Sequence, residues 1–258
     1  MTPEAYADKY LNLTWEYDKK SFQVAIRKYL AIDAKYCDQT KIDGSADAKQ
    51  WLLDAIKAAP DVQMADGIIQ VTTLKKIIPF EHIEKTFKGT ASPSRIANTL
   101  WLATHLKFIT VSPTDPTIAG REAARPQDYA DWYLGMDCRG FANNYLGLNA
   151  HQRTVTSFDE NKTTRRQTIA AIKMGDVMVK RVIASNSYEH IAIVVRVLRK
   201  SDTSMQLFTV ESYGYKLAGI GRHDRNLIMT SPGIFVEQGA AKPAEIYIQP
   251  PPNQGPSL

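Results

Sequence analysis

After residue 175 the hydrophobic residues stop recurring at helical spacing and begin to alternate, and this change of period constrains the fold more than any other feature of the chain. The segments GDVMVKRVI, HIAIVVRVLRK, SMQLFTVESY, GIFVEQ and AEIYIQP are rich in Val, Ile, Phe and Tyr, and Gly, Asp, Ser and Pro separate them. Side chains of these types pack well on a pleated, half-buried surface, so each segment predicts a strand and together they predict an antiparallel sheet. SDTS at 201–204 reads as the loop of a hairpin joining the second and third strands, and GRHDRN further on reads as a loop. The tail PPPNQGPSL (250–258) cannot extend a sheet and reads as a mobile end.

Before that change the pattern is helical. In SFQVAIRKYLAIDAKY, Phe22, Ile26, Tyr29, Leu30 and Ala34 follow helix spacing. SADAKQWLLDAIKAA starts with Ser45 as a cap, and SPSRIANTLWLATHLKF starts with Ser92 as a cap and Pro93 at the first position. The stretch VSPTDPTIAGREAARP then reads as a loop. Three regions result: a helical N-terminal region (1–110), a second domain (111–249) and a Pro-rich tail (250–258). Helices followed by strands predict an α+β architecture, with a cysteine-bearing helix packed on an antiparallel sheet. A length of 258 residues with 44% hydrophobic and 23% charged content suits a globular protein with a sizeable core.

Charge narrows the partners only a little. Against 27 acidic residues stand 32 basic ones, for a net charge of +5, which favours anionic surfaces. The basic clusters, such as Lys75-Lys76 and Arg165-Arg166, are short and no nucleic-acid motif accompanies them, so no nucleic-acid partner is expected. No apolar run is long enough for a membrane span, and the N-terminus lacks the basic start and apolar core of a secretion signal. Two cysteines cannot build a disulfide framework, and nothing in the sequence supports a Cys37–Cys138 bridge.

The stretch GMDCRGFANNY (135–145) carries the chemistry. Asp137 before an apolar run is a helix-start signal, which sets Cys138 in the first turn and Phe141, Tyr145 and Leu146 on one face. A thiol there meets unpaired backbone N–H groups and the positive end of the helix dipole, and both favour thiolate. A cysteine nucleophile needs a base, and the base needs an orienting group. His190 opens HIAIVVRV and so stands at the rim of a strand; His82, His105 and His151 lie elsewhere, and His223 is the reserve. The hairpin puts TVESYG beside His190, with Glu211 and Tyr213 on one face and Ser212 on the other. A carboxylate at the end of an apolar strand calls for a partner, and His190 suits it. Glu189, next to His190, points to the opposite face.

The order DCRGF, MGDVMV, EHIAIVV, TVES resembles the pattern of bacterial cell-wall cysteine peptidases of the NlpC type and of the related CHAP amidases, over roughly residues 128–215. The resemblance implies a papain-like core, with Cys138 as nucleophile, His190 as base and Glu211, a residue type more usual in CHAP proteins at this place, as orienting group. On the substrate and oxyanion side it points to Asp137, Arg139, Tyr129 and Tyr133. Arg139 stands where these families usually have a small residue.

The activity implied is hydrolysis of amide bonds in the peptide part of bacterial peptidoglycan, with neither cofactor nor metal. A chain made in the cytoplasm without a classical signal, yet acting on the wall, suggests an antibacterial effector that reaches a periplasm by non-classical secretion. Its further partners would then be a secretion machinery and an inhibitor (immunity) protein. Two other readings stay open: a lipid or acyl-ester hydrolase or acyltransferase on the same fold, and a non-catalytic papain-like binding module.

Overall fold

The computed structural model describes residues 1–30, 45–58, 62–64, 67–69, 78–110, 124–149, 152–214 and 219–252. Two compact units emerge, one from the described residues within 9–137 and 214–219, the other from those within 1–8, 138–213 and 220–258. The first helix, α1 (Pro3–Leu11), therefore starts in one unit and ends in the other.

In the unit of 9–137, β1 (Leu13–Tyr17) and β2 (Lys20–Val24) form a hairpin where the sequence predicts a helix from residue 21. The turn decides it. Asp18 and Lys19 both have positive φ (48° and 59°), as a two-residue type I′ hairpin turn requires, although neither residue is a glycine. Residues 31–36 of the predicted helix, and Cys37, lie outside the described residues. Next come α2 (Ser45–Ala58), the short pair β3 (Val62–Met64) and β4 (Gly67–Ile69), α3 (Phe80–Phe87), α4 (Pro93–His105) and α5 (Pro126–Tyr133). Ser92 is extended at the N-cap of α4 and Pro93 follows at the first position, its fixed φ being suited to a helix start. The core joins α4 to β1, with Leu13, Trp15, Ile96, Leu100 and Leu102 buried and the Trp15 indole N–H donating to Thr104 Oγ1 at 3.2 Å.

In the other unit α6 (Cys138–Tyr145) is followed by short 3-10 turns and then by β5 (Val177–Val182), β6 (Ser187–Arg199), β7 (Ser204–Tyr213), β8 (Gly219–Ser231), β9 (Ile234–Glu237) and β10 (Ala244–Gln249). These strands close into an antiparallel barrel in the order β10-β5-β6-β7-β8-β9. The expected papain-like core, a helix on an open sheet, is corrected by this closure. Two features produce it. β10 pairs with both β5 and β9, so the last strand seals the first, and the stretch read as the loop GRHDRN lies in β8, which links β7 to β9. Alternation of apolar side chains has the same period in an open sheet and in a barrel, and charged residues on β8 hide its period.

Every barrel strand supplies the lumen core: Met178, Ala192, Val194, Met205, Leu207, Leu227, Phe235, Ile246 and Ile248 are buried there together. The segment before β5 is tied to the wall by Asp159, whose side chain is fully buried. It accepts from the Arg165 guanidinium at 2.9 and 2.5 Å, from Tyr188 Oη at 2.8 Å and from Gln249 Nε2 at 2.6 Å. Arg165 also lies flat over the Tyr247 ring, 3.5 Å from its centroid, so the buried charge is paired and its partner is held in place.

Candidate active site

Antiparallel pairing of β6 with β7 brings His190 and Glu211 together at one end of the barrel. His190 lies two residues before Ala192, Thr209 and Glu211 follow Leu207 at the same period, and Arg225 lies two before Leu227. All four therefore continue the strand faces that fill the lumen. Their polar groups satisfy one another. His190 Nε2 and Arg225 Nη2 meet Glu211 Oε2, the latter at 2.9 Å. Arg225 Nη1 and Thr209 Oγ1 meet Oε1 at 2.6 and 3.0 Å, and Arg225 Nη1 also donates to Thr209 Oγ1 at 2.9 Å. Glu211 has no exposed surface, and His190 and Arg225 are buried.

Burial alone would raise the Glu211 carboxyl. The charges and hydrogen bonds of His190 and Arg225 outweigh it and hold the group well below the ordinary carboxylate range. Arg225 shows the reverse balance, as burial lowers it and Glu211 raises it further. His223, on β8, is lowered by burial, with Arg225 and His190 adding to the effect against Glu211. The Tyr213 ring sits edge-on to both imidazoles, 5.3 Å from His190 and 5.2 Å from His223.

Cys138 is the first residue of α6 and is buried. Helix α6 packs against β6 and β7, the two strands that hold His190 and Glu211. Phe141 and Leu146 are buried, and Tyr6 of α1 packs on the Phe141 and Tyr145 rings. Arg139 is half-buried on the same helix. Asp137 is buried, and its backbone N–H donates to Gly89 O at 2.8 Å. Tyr129 and Tyr133, both on α5, belong with Asp137 to the other unit; Tyr129 is buried and meets the Tyr133 ring edge-on at 5.0 Å. His82 lies on α3, His105 ends α4 stacked on Trp101, and Glu189 is exposed. His151 lies outside the described residues.

Sequence reasoning missed Arg225 and Thr209. The available signal was the spacing by two of Arg225, Leu227 and Met229, a lumen period that the charges before Leu227 obscure. A cavity of about 550 Å³ borders the network through Thr209 and His223. Arg196, held 4.3 Å over the Phe208 ring, and Arg222, paired with Glu4 at 3.3 Å, also line it, whereas His190 and Cys138 do not. Among the described residues no cluster of His, Cys, Asp and Glu is arranged to hold a metal ion, and no helix is long and apolar enough to cross a membrane. Comparison of the chain with protein-family models, curated proteins and solved structures gives no match.

Proposed function

We propose that this protein is a cysteine-dependent amide hydrolase that cuts the peptide part of bacterial peptidoglycan. The observation that carries the reading is the buried His190–Glu211 pair, joined through Nε2 and Oε2, on the two strands against which the helix starting at Cys138 packs. A structural histidine does not need a buried ionised partner; a base that must be held in one orientation does. The substrate class comes from the resemblance of DCRGF, MGDVMV, EHIAIVV and TVES to cell-wall peptidases and amidases.

With Nε2 engaged by Glu211, Nδ1 is the ring nitrogen left to serve the thiol. In the proposed reaction Cys138 Sγ, as thiolate, attacks the amide carbonyl carbon. The imidazolium of His190 gives its proton to the nitrogen of the departing amine, the C–N bond breaks and a thioester remains. Water then attacks the thioester, His190 takes its proton, and the carboxylic acid and the thiol are released. The expected oxyanion donors are backbone N–H groups of the first turn of α6, and one such donor is commonly worth about 3 kcal/mol.

The test is mass spectrometry of purified muropeptides after incubation with the protein. Wild type should release defined fragments, which also identify the bond, and Cys138→Ala should reduce the rate by more than about 10³-fold with an unchanged thermal unfolding curve. Cleavage by Cys138→Ala at the wild-type rate, or intact muropeptides alongside fatty acid released from phospholipid vesicles, would end the proposal.

A further inference from the structure

We infer that Arg225 is a positioning residue that selects the tautomer of His190, by keeping Glu211 an ionised carboxylate that only accepts hydrogen bonds. The catalytic consequence rests on the hydrolase reading above; the bonding itself does not.

The donors and acceptors around Glu211 fix where the protons lie. Arg225 can only donate: its Nη2 hydrogen-bonds Glu211 Oε2, and its Nη1 hydrogen-bonds Thr209 Oγ1 and pairs with Oε1 at 2.6 Å. The Thr209 hydroxyl, having accepted from Arg225, has one proton to give, and the Glu211 Oε1 contact at 3.0 Å is shorter than the alternative to the His223 carbonyl at 3.4 Å. Oε1 thus receives Thr209 and Arg225, and Oε2 receives Arg225 and faces His190 Nε2. A carboxylate so placed has no proton to offer, so Nε2 must carry the hydrogen and Nδ1 keeps its lone pair. Without Arg225, burial in the lumen favours the neutral acid. Glu211 would then hold a proton and donate it to Nε2, the ring hydrogen would move to Nδ1, and the nitrogen meant for Cys138 would no longer be a base.

This makes the Arg225–Thr209 pair a lock behind the base as well as a source of stability, since a buried ion pair broken on one side is costly. The arrangement also explains why a charged residue interrupts the lumen face of β8 next to Leu227.

The experiment reads the tautomer directly, from long-range ¹H–¹⁵N correlation spectra of the full chain, above the pH at which the imidazole is protonated. All variants carry Cys138→Ala so that the thiol does not share the proton. With Glu211 and Arg225 intact, His190 should show a protonated Nε2 and a bare Nδ1. Glu211→Gln combined with Arg225→Met tests the acceptor: with the Nη2 donor gone from the Oε2 position, the glutamine NH₂ can face Nε2 and its oxygen Thr209, so the proton should move to Nδ1. Arg225→Met should give the same switch and Arg225→Lys, which keeps the charge, should retain the original tautomer. In the background with Cys138, Arg225→Met should lower kcat by roughly 10⁴-fold, the size of a wrong-tautomer effect in a catalytic triad.

A folded Arg225→Met protein that keeps the proton on Nε2 overturns the inference. If Arg225→Met does not fold, Arg225→Gln, which keeps a donor and removes the charge, decides: the proton should move to Nδ1, and a proton that stays on Nε2 overturns the inference. The two proposals fail separately: a tautomer switch in a protein that leaves muropeptides intact upholds the lock and ends the hydrolase reading, and cleavage with no switch does the opposite.

Discussion

Glu211 concentrates the residue-scale physics of this protein, because one carboxylate is buried without exposed surface and still ionised. Its depressed titration has a sign that can be worked out. The unfolded chain takes up the Glu211 proton near the ordinary value of about 4.3, while the folded protein resists it until well below. The stability that Glu211 contributes is therefore complete above that value and is lost as pH falls toward the folded one. Wild type should exceed Glu211→Gln in urea midpoint at neutral pH, with the gap narrowing below about pH 4. A gap that stays constant down to about pH 2.5 would show that Glu211 is not held ionised. The placement of Cys138 at a helix start and of His190 beside Glu211 was legible in the sequence because local rules reach it: a helix-start signal, a strand rim and a carboxylate on an apolar strand. Arg225 and Thr209 could not, because neither has meaning until β8 lies beside β7 and turns Arg225 onto Glu211.

Elements were legible where one rule acted alone. Pro93 marks the start of α4, and the alternating runs give β5, β6, β7, β9 and β10. They were misread where two rules conflicted. The residues Phe22, Ile26, Tyr29 and Leu30 carry a helical period, yet Ser21 and Phe22 pair with Glu16 and Trp15 in the β1–β2 hairpin. There the cross-strand packing of Trp15 on Phe22, with ring centroids 5.4 Å apart, outweighs the local pattern. The turn pays for this in strain, since Asp18 and Lys19 are left-handed without being glycine. Lys19→Gly should relieve it, and because Lys19 is exposed no contact is lost. The expected gain is about 1 kcal/mol, seen as a higher urea midpoint at unchanged slope. A lower midpoint would mean that the turn is not of the I′ type.

For the whole molecule the decisive event is closure. β10 occupies the position on which the barrel depends, since it pairs along its length with β5 and also holds β9. A chain ending at Gly239 would leave two strand edges bare and open the lumen around Met178 and Phe235. Such a truncation should lose the cooperative unfolding of the barrel unit and bind a hydrophobic dye, and a wild-type melting curve would contradict the closed topology. By itself the sequence determined the nature of the pieces: a helical start at Cys138, strands after residue 175 and the pairing of His190 with Glu211 through a hairpin. These depend on neighbours within a few residues or across one short loop. Only the tertiary structure decided that the sheet closes, that a charged stretch is a barrel strand and that an arginine stands behind the carboxylate. Those outcomes rest on contacts between strands distant in the chain, whose side chains share no local period, and the energy of burying one charge against another exists only once both are inside the same wall.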